Sequence, residues 1–315
     1  MQIRWTFLIP LFFAFVLLSF RPGKSPTPEQ LGERLFFDPI LSLDSTISCA
    51  SCHLPDFGFA DTARLSRGVG GRLGRRNAPG VTNMSARSHF FYDGRAATLE
   101  QQIMMPVTDT LEMRATPELV AARLTNHPEY KAMFAQLYGK QPDAQLVSKA
   151  IAAYIRTLET SETPFDRYMN DKPNPMSADA VQGRVIFMNK GKCFDCHFSP
   201  DFTFDEFRNI GLYNGKDLND VGRYGITKAP SDLGKFKVPG LRNVAVTAPY
   251  MHNGMFKTLD EVIDYYDKPD LFVADAINRD TLLAKPLGLT TLEKSQLKAF
   301  LLALTDDRWK HKIER

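Results

Sequence analysis

The sequence predicts an all-α protein of two domains. Three observations lead there. The 315 residues are about twice what one ordinary domain needs. Helix-start signals recur along the chain, while no alternating apolar–polar run of strand length appears. A helix leading into a cysteine-bearing loop occurs once in each half. The composition, 43% hydrophobic and 24% charged, belongs to a chain that builds a core, and it sets aside disordered and fibrous classes. Lys+Arg 39 against Asp+Glu 36 leaves +3, too balanced to mark a nucleic-acid binder. Only one apolar run approaches spanning length, which excludes a polytopic membrane protein.

That run opens the chain. Met1–Arg4 carries one positive charge, Trp5–Phe20 is apolar throughout, and Pro22-Gly23 breaks it. This is the pattern of an export signal. No A-x-A cleavage site and no lipid-accepting cysteine accompany it, so residues 1–24 read either as a removed signal peptide or as a retained N-terminal anchor. Both readings place the rest of the chain in the periplasm.

The helices follow in order. Thr27-Pro28-Glu29-Gln30 is a capping box with Pro at the first helical position, opening a helix through Phe37. Thr116-Pro117-Glu118 opens another, interrupted near His127-Pro128 and closed by Gly139. Between Pro142 and Thr160, Leu146, Ala150, Ala153, Tyr154 and Leu158 form a helical stripe. The run Asn170-Asp171-Lys172-Pro173-Asn174-Pro175 marks a linker, dividing the mature chain into residues 25–170 and 171–315. Ser177 starts the helix before the second cysteine pair. Thr258…Glu261 and Thr290…Glu293 are capping boxes for two more helices, the last ending near Leu304.

All four cysteines fall in two C-x-x-C-H pentapeptides, Cys49/Cys52/His53 and Cys193/Cys196/His197. Two disulfides would leave both histidines without a role, and one such pentapeptide alone could be a zinc knuckle. Two copies that use every cysteine read as attachment sites for two covalent c-type haems. The paired thiols reach the two vinyl groups of one porphyrin, and the adjacent imidazole becomes an axial ligand of the iron. Each pentapeptide follows a G-x-x-(I/L)-F helix, Gly32…Phe36 and Gly183…Phe187. Helix, haem-bearing loop and later helices make two cytochrome-c-like domains. Gly68-Val-Gly70-Gly71 follows no strand and is a loop rather than a phosphate cradle.

Further motifs carry a family resemblance. Cys49…His53-Leu-Pro, Arg76-Asn77-Ala-Pro79, Tyr92-Asp93-Gly94-Arg95, Leu99-Glu100-Gln-Gln102 and Pro106…Glu112-Met113 stand in that order. Val238-Pro239-Gly-Leu241-Arg242-Asn243, Thr247-Ala-Pro249-Tyr250-Met-His252-Asn-Gly254 and Thr258-Leu259 follow. From about residue 28 to 304 the chain resembles the bacterial di-haem cytochrome c peroxidases, a family that includes the MauG enzymes. The resemblance implies a peroxidatic haem at His53, with Glu112 and Gln102 on its distal side. Such a carboxylate can move a proton between the oxygens of H2O2, and the amide can orient the peroxide. On spacing alone, Glu112 reads equally well as a solvated helix-end carboxylate. The resemblance further implies an electron-accepting haem at His197, a calcium ion near Asn77, Thr247 and Pro249, dimerisation, and a small cytochrome c or cupredoxin as donor.

Three departures stand out. Val69 falls where the peroxidases carry a histidine that ligates the resting N-terminal haem, and no histidine lies between His53 and His89. An open first haem is therefore expected, with His89 the nearest substitute. Tyr266 falls where the second haem has a methionine ligand, as in the MauG branch, where a tyrosine ligates. An ordinary tyrosine beside Tyr265 on an amphipathic helix is the other reading, and Met251 and Met255 are nearby thioethers out of register. Tyr92 replaces the tryptophan expected before Asp-Gly-Arg, as an aromatic electron relay between the haems. The function expected is reduction of H2O2 to water with electrons from the small redox protein. A MauG-like oxidase acting on a protein or organic substrate is the alternative, and a pure electron-transfer cytochrome the third.

Overall fold

The structure, a computed structural model, describes residues 25–160 and 162–313. The first half holds α1 (Pro28–Phe37), α2 (Leu99–Thr108), α3 (Pro117–Asn126), α4 (Pro128–Tyr138) and α5 (Ala144–Ile155). The second holds α6 (Pro164–Met169), α7 (Ala178–Met188), α8 (Tyr224–Thr227), α9 (Leu259–Asp267), α10 (Thr291–Leu302) and α11 (Lys310–Ile313). Strand pairing is confined to a two-residue antiparallel pair, β1 (Phe207–Arg208) with β2 (Phe236–Lys237), and a few isolated bridges. The all-α expectation therefore holds. The export segment, Met1–Lys24, lies outside the described residues, among which no helix is long and apolar enough to cross a membrane.

Local chemistry sets most helix starts. The Thr27, Thr258 and Thr290 hydroxyls accept from the N–H of Gln30, Glu261 and Glu293, and those side chains return the bond to the cap N–H. Such reciprocal capping is worth about 0.5–2 kcal/mol per helix. His127-Pro128 separates α3 from α4, and Gly139 ends α4 in the left-handed region at φ 64°. α5 is shorter than its apolar stripe: it starts at an Asp143 cap and ends at Ile155, and Leu158 is buried from the following turn. α2 and α6 carry no prior sequence assignment. Pro106 inside α2 cannot donate to the Gln102 carbonyl, which obscures the helical pattern.

The repeated G-x-x-(I/L)-F motif has a packing cause. α1 crosses α5 and α7 crosses α10 so closely that a Cβ on Gly32 would sit 1.9 Å from the Ala150 carbonyl oxygen, and one on Gly183 1.8 Å from that of Gln296. Only glycine permits either crossing. Around the first lie Leu31, Leu35, Phe36, Val147 and Ile151; around the second, Phe165, Phe187, Phe202, Phe300 and Leu301. The chain end returns to the first core, where Trp309 is buried and its indole N–H donates to the Pro55 carbonyl at 2.7 Å.

The two cores are pinned together by buried polar groups. Arg242 pairs with Asp166 at 2.9 Å and Asp201 at 3.1 Å, and Arg87 reaches Asp201 from the first half at 2.5 Å. Asn243 is fully buried, donates to Thr160 Oγ1 at 2.8 Å and accepts from the Asp306 N–H at 2.9 Å. The Val-Pro-Gly-Leu-Arg-Asn motif is thus a seam between the halves.

Candidate active site in a cavity shared by both cysteine loops

Each pentapeptide forms a one-turn 3₁₀ helix, with the histidine N–H bonded to the carbonyl of the first cysteine at 2.9 Å in both. The turn gathers two thiols and an imidazole. His53 Nδ1 donates to the Phe59 carbonyl at 3.0 Å, and His197 Nδ1 to that of Phe202 at 2.8 Å. A carbonyl can only accept, so Nδ1 holds the proton and Nε2 presents its lone pair, the tautomer a metal-ligating histidine needs. Burial keeps both rings neutral, lowering the pKa of His53 and taking that of His197 down to about 4. No disulfide joins any of the four cysteines. Burial pushes Cys49 and Cys193 up to about 12, and Cys52 and Cys196 up to about 11. Among the described residues no three or more His, Cys, Asp or Glu side chains are grouped so as to hold a metal ion.

All six residues line one continuous cavity of about 1060 Å³. That is at the top of the ~300–1,000 Å³ range of single-ligand pockets. Paired thiols, an oriented imidazole and an apolar cavity at each end fit two covalently attached haems.

On the His53 side the cavity wall includes Gln102, from α2, and Glu112, from the turn after it. Burial first, then the nearby charge of Asp109, raises the Glu112 pKa above the ordinary carboxylate value, and Arg95 opposes this. The loop over residues 66–74 packs directly on that turn. Val69 N–H donates to the Glu112 carbonyl at 2.8 Å, and a Cβ on Gly68 would meet that same oxygen at 2.4 Å. Val69 itself is buried and is not among the cavity-lining residues. His89 lines the cavity at the seam, its Nδ1 3.0 Å from Ser88 Oγ and its ring edge-on to Phe207 at 5.3 Å.

Between the cysteine loops runs an aromatic file that sequence reasoning had only in part. Tyr92 and His252 have ring centroids 6.4 Å apart, and His252 stacks on Phe236 at 3.7 Å and 13°. Burial lowers the His252 pKa to about 4, against the opposing pull of Asp220. Beside the file, Arg76 joins Asp93 at 2.7 Å to Asp220 at 2.7 and 2.8 Å, and Arg223 donates to the carbonyls of Asp93 and Gly94, both at 2.8 Å. Phe236, Asp220 and Arg223 sit in segments without a recognisable motif, so only the tertiary fold reveals them.

At the other end, Tyr266 and Met251 both line the cavity, and Met255 does not. Burial raises the Tyr266 pKa, and the charges of Tyr265, Cys196 and Cys193 add to the rise. Asn77, Thr247 and Pro249 also line the cavity. Asn77 Nδ2 donates to the Ala63 carbonyl at 3.1 Å, its N–H bonds the His252 carbonyl at 2.8 Å, and the Thr247 hydroxyl donates to Val244 at 3.2 Å.

Comparison with known proteins agrees with this geometry. The profile of the family described as di-haem cytochrome c peroxidase matches residues 26–174. The methylamine utilization protein MauG of Methylorubrum extorquens is 37% identical, the match covering 90% of this chain and 80% of that protein. The cytochrome-c peroxidase IdrP1 of Pseudomonas sp. (strain SCT) is 34% identical, over 87% of this chain and 80% of its own. The crystal structure of a MauG-like protein associated with microbial copper homeostasis superimposes with a TM-score of 0.81 at 29% identity, covering 90% of this chain and 93% of that one. The chain belongs to the di-haem cytochrome c peroxidase and MauG family of oxidoreductases, which implies two c-type haems.

Proposed function

We propose that this protein reduces H2O2 to water at the His53 end of the cavity, with electrons delivered by a small redox protein through the His197 end. The supporting observation is the partition of the cavity. An acid–base carboxylate, Glu112, and an amide, Gln102, line the wall that holds His53, and the adjoining 66–74 loop contributes no histidine. The haems, when bound, supply the redox chemistry of O–O cleavage. Glu112 takes the proton from the incoming peroxide and returns it to the leaving oxygen, and its raised pKa suits a group that must do both. Gln102 orients the peroxide. Val69 and Gly68 hold the Glu112 turn in place. Tyr92, in van der Waals range of the His252–Phe236 stack, relays electrons between the two ends.

Asn77, Thr247 and Pro249 hold a calcium ion at the seam through oxygen donors, as hard cations prefer. The half that holds His53 acts as the peroxidatic domain and the half that holds His197 as the electron-accepting domain, with α6, at the end of the 25–170 segment, packed into the second core through Phe165. The protein works in the periplasm, exported by its first 24 residues. A MauG-like oxidation of a protein or organic substrate is favoured by one observation, Tyr266 on the wall of the cavity that Cys193, Cys196 and His197 also line. A tyrosinate ligand would stabilise ferric iron and lower that haem's potential. Steady-state peroxide reduction by the purified holoprotein with a reduced small cytochrome c distinguishes the two. Rapid donor oxidation supports the peroxidase; peroxide consumption without donor oxidation supports the oxidase.

A further inference from the structure

The carbonyls that orient the two histidines belong to residues in an unfavourable conformation. Phe59, which accepts from His53 Nδ1, has φ 57°, and Phe202, which accepts from His197 Nδ1, has φ 56°. A bulky residue avoids this left-handed region and keeps it only where its surroundings hold it there. The two halves hold their phenylalanines differently. Around Phe202 stand Phe165, Phe187 and Phe300, with ring centroids 5.0, 5.9 and 5.8 Å away, all from the second core. Phe59 has Phe36 at 6.1 Å from its own half and, edge-on at 6.4 Å and 90°, Trp309. Trp309 belongs to the chain end, which follows the last helix of the second core.

That chain end is built as a strap. The Asn243 N–H donates to the Leu304 carbonyl and the Asp306 N–H to the Asn243 side-chain oxygen, both at 2.9 Å, which anchors it in the seam. The Trp309 N–H then closes a turn on the Asp306 carbonyl at 3.0 Å. Its indole N–H reaches the Pro55 carbonyl, 254 positions away in sequence, at 2.7 Å. Lys312 lies 4.8 Å over the Phe57 ring and 3.4 Å from the Asp56 carboxylate. The strap therefore touches Pro55, Asp56, Phe57 and Phe59. These residues make up the tight loop that follows His53, closed by the Leu54–Ala60 bridge and by the Phe59 N–H on the Leu54 carbonyl at 3.0 Å. Trp309 is only 4% exposed, so its contact with the loop is dry.

We propose that Trp309 is a positioning residue for His53. By holding Pro55 and Phe59 it fixes the Phe59 carbonyl against Nδ1, and so sets the strength of His53 as the axial ligand of the first haem. The proposal rests on the reading of His53 as that ligand and is independent of whether the protein works as a peroxidase or an oxidase. A hydrogen bond at Nδ1 raises the basicity of an imidazole that presents Nε2 to a metal. Released from Trp309, Phe59 can relax towards an ordinary φ, its carbonyl turns from Nδ1, and the imidazole becomes a weaker donor. A weaker donor stabilises ferric iron less, and the potential rises. The first haem is thus tuned by the end of the second half, whereas His197 is set within its own core.

The test compares full-length holoprotein with its W309F and W309A variants. W309F keeps a ring beside Phe59 and removes the N–H to Pro55; W309A removes both. W309F keeps the test open if W309A fails to fold. Two quantities are measured, the midpoint potential of each haem and the resonance Raman iron–histidine stretch of the reduced protein. In W309A the ferric–ferrous equilibrium of the first haem should move about tenfold towards ferrous, which is about 59 mV upward for one electron. The iron–histidine stretch should fall in frequency. W309F should move both in the same direction by less, and the second haem should keep its potential in both variants. A tryptophan that only fills the core would lower the melting temperature and leave potential and stretch at the parent's values, and that result overturns the proposal. So does an equal shift at both haems, which would mark a general loosening. A His53→Gly protein with an unaltered first-haem spectrum instead defeats the ligand reading on which the proposal rests.

Discussion

Replacing Glu112 by Gln removes a carboxylate while keeping its shape. The backbone bonds that hold the turn, Val69 N–H to the Glu112 carbonyl at 2.8 Å and Glu112 N–H to the Asp109 carbonyl at 3.1 Å, do not involve the side chain and should survive. The variant therefore reads the proton transfer rather than the fold. Acid–base catalysis of this kind is worth about 10²–10⁴-fold, or about 3–5 kcal/mol of barrier. Stopped-flow peroxide reaction should slow by that span, with both haem spectra retained. The pH profile supplies a second reading. Glu112 must be ionised to accept the first proton, and burial raises its pKa, so activity should fall on the acid side with a midpoint above the ordinary glutamate value of about 4.3. Asp109 raises that pKa and Arg95 lowers it, so Asp109→Asn should move the midpoint down and Arg95→Gln should move it up. A Glu112→Gln enzyme that turns over peroxide within a few-fold of the parent refutes the assignment. So does a profile that neither neighbour shifts.

Three other outcomes are expected. Tyr266→Phe should change the spectrum and raise the potential of the second haem alone; an unchanged spectrum removes Tyr266 as a ligand. Gly183→Ala forces a Cβ to within 1.8 Å of the Gln296 carbonyl oxygen and should cost at least the ~1–3 kcal/mol of overpacking. Thermal unfolding of the holoprotein should drop by about 2–4 °C per kcal/mol, and an unchanged Tm refutes the close crossing. Treatment with EGTA should slow peroxide turnover and lower the melting temperature, and added calcium should restore both; indifference to chelation removes the proposed calcium ion.

Local signals carried most of the helical fold. Capping boxes at Thr27, Thr258 and Thr290 and the stop at Gly139 act within one turn, so the linear order of residues contains them. α2 escaped because Pro106 lies within it, and only the surrounding core holds it helical. The haem loops were legible because ligand spacing is a short-range property. The seam was not. Arg76 meets Asp220 144 positions away, and His252 stacks on Phe236 only because a two-residue strand pair and the Asp220 turn bring them together. Gly32 and Gly183 were visible as a repeat, but the reason for the repeat, a helix crossing too close for any side chain, belongs to tertiary structure. Arg242 and Asn243 were likewise visible as a motif, and their role as a buried clamp between the halves appears only once Asp166, Asp201, Thr160 and Asp306 are beside them.

The central claim is that the His53 end of the cavity is an open peroxidatic site. EPR and optical spectroscopy of the as-isolated ferric holoprotein, before and after one equivalent of H2O2, tests it most directly. One high-spin and one low-spin haem should be seen, the high-spin signal reacting at once without prior reduction. Two low-spin haems inert to peroxide would contradict the account.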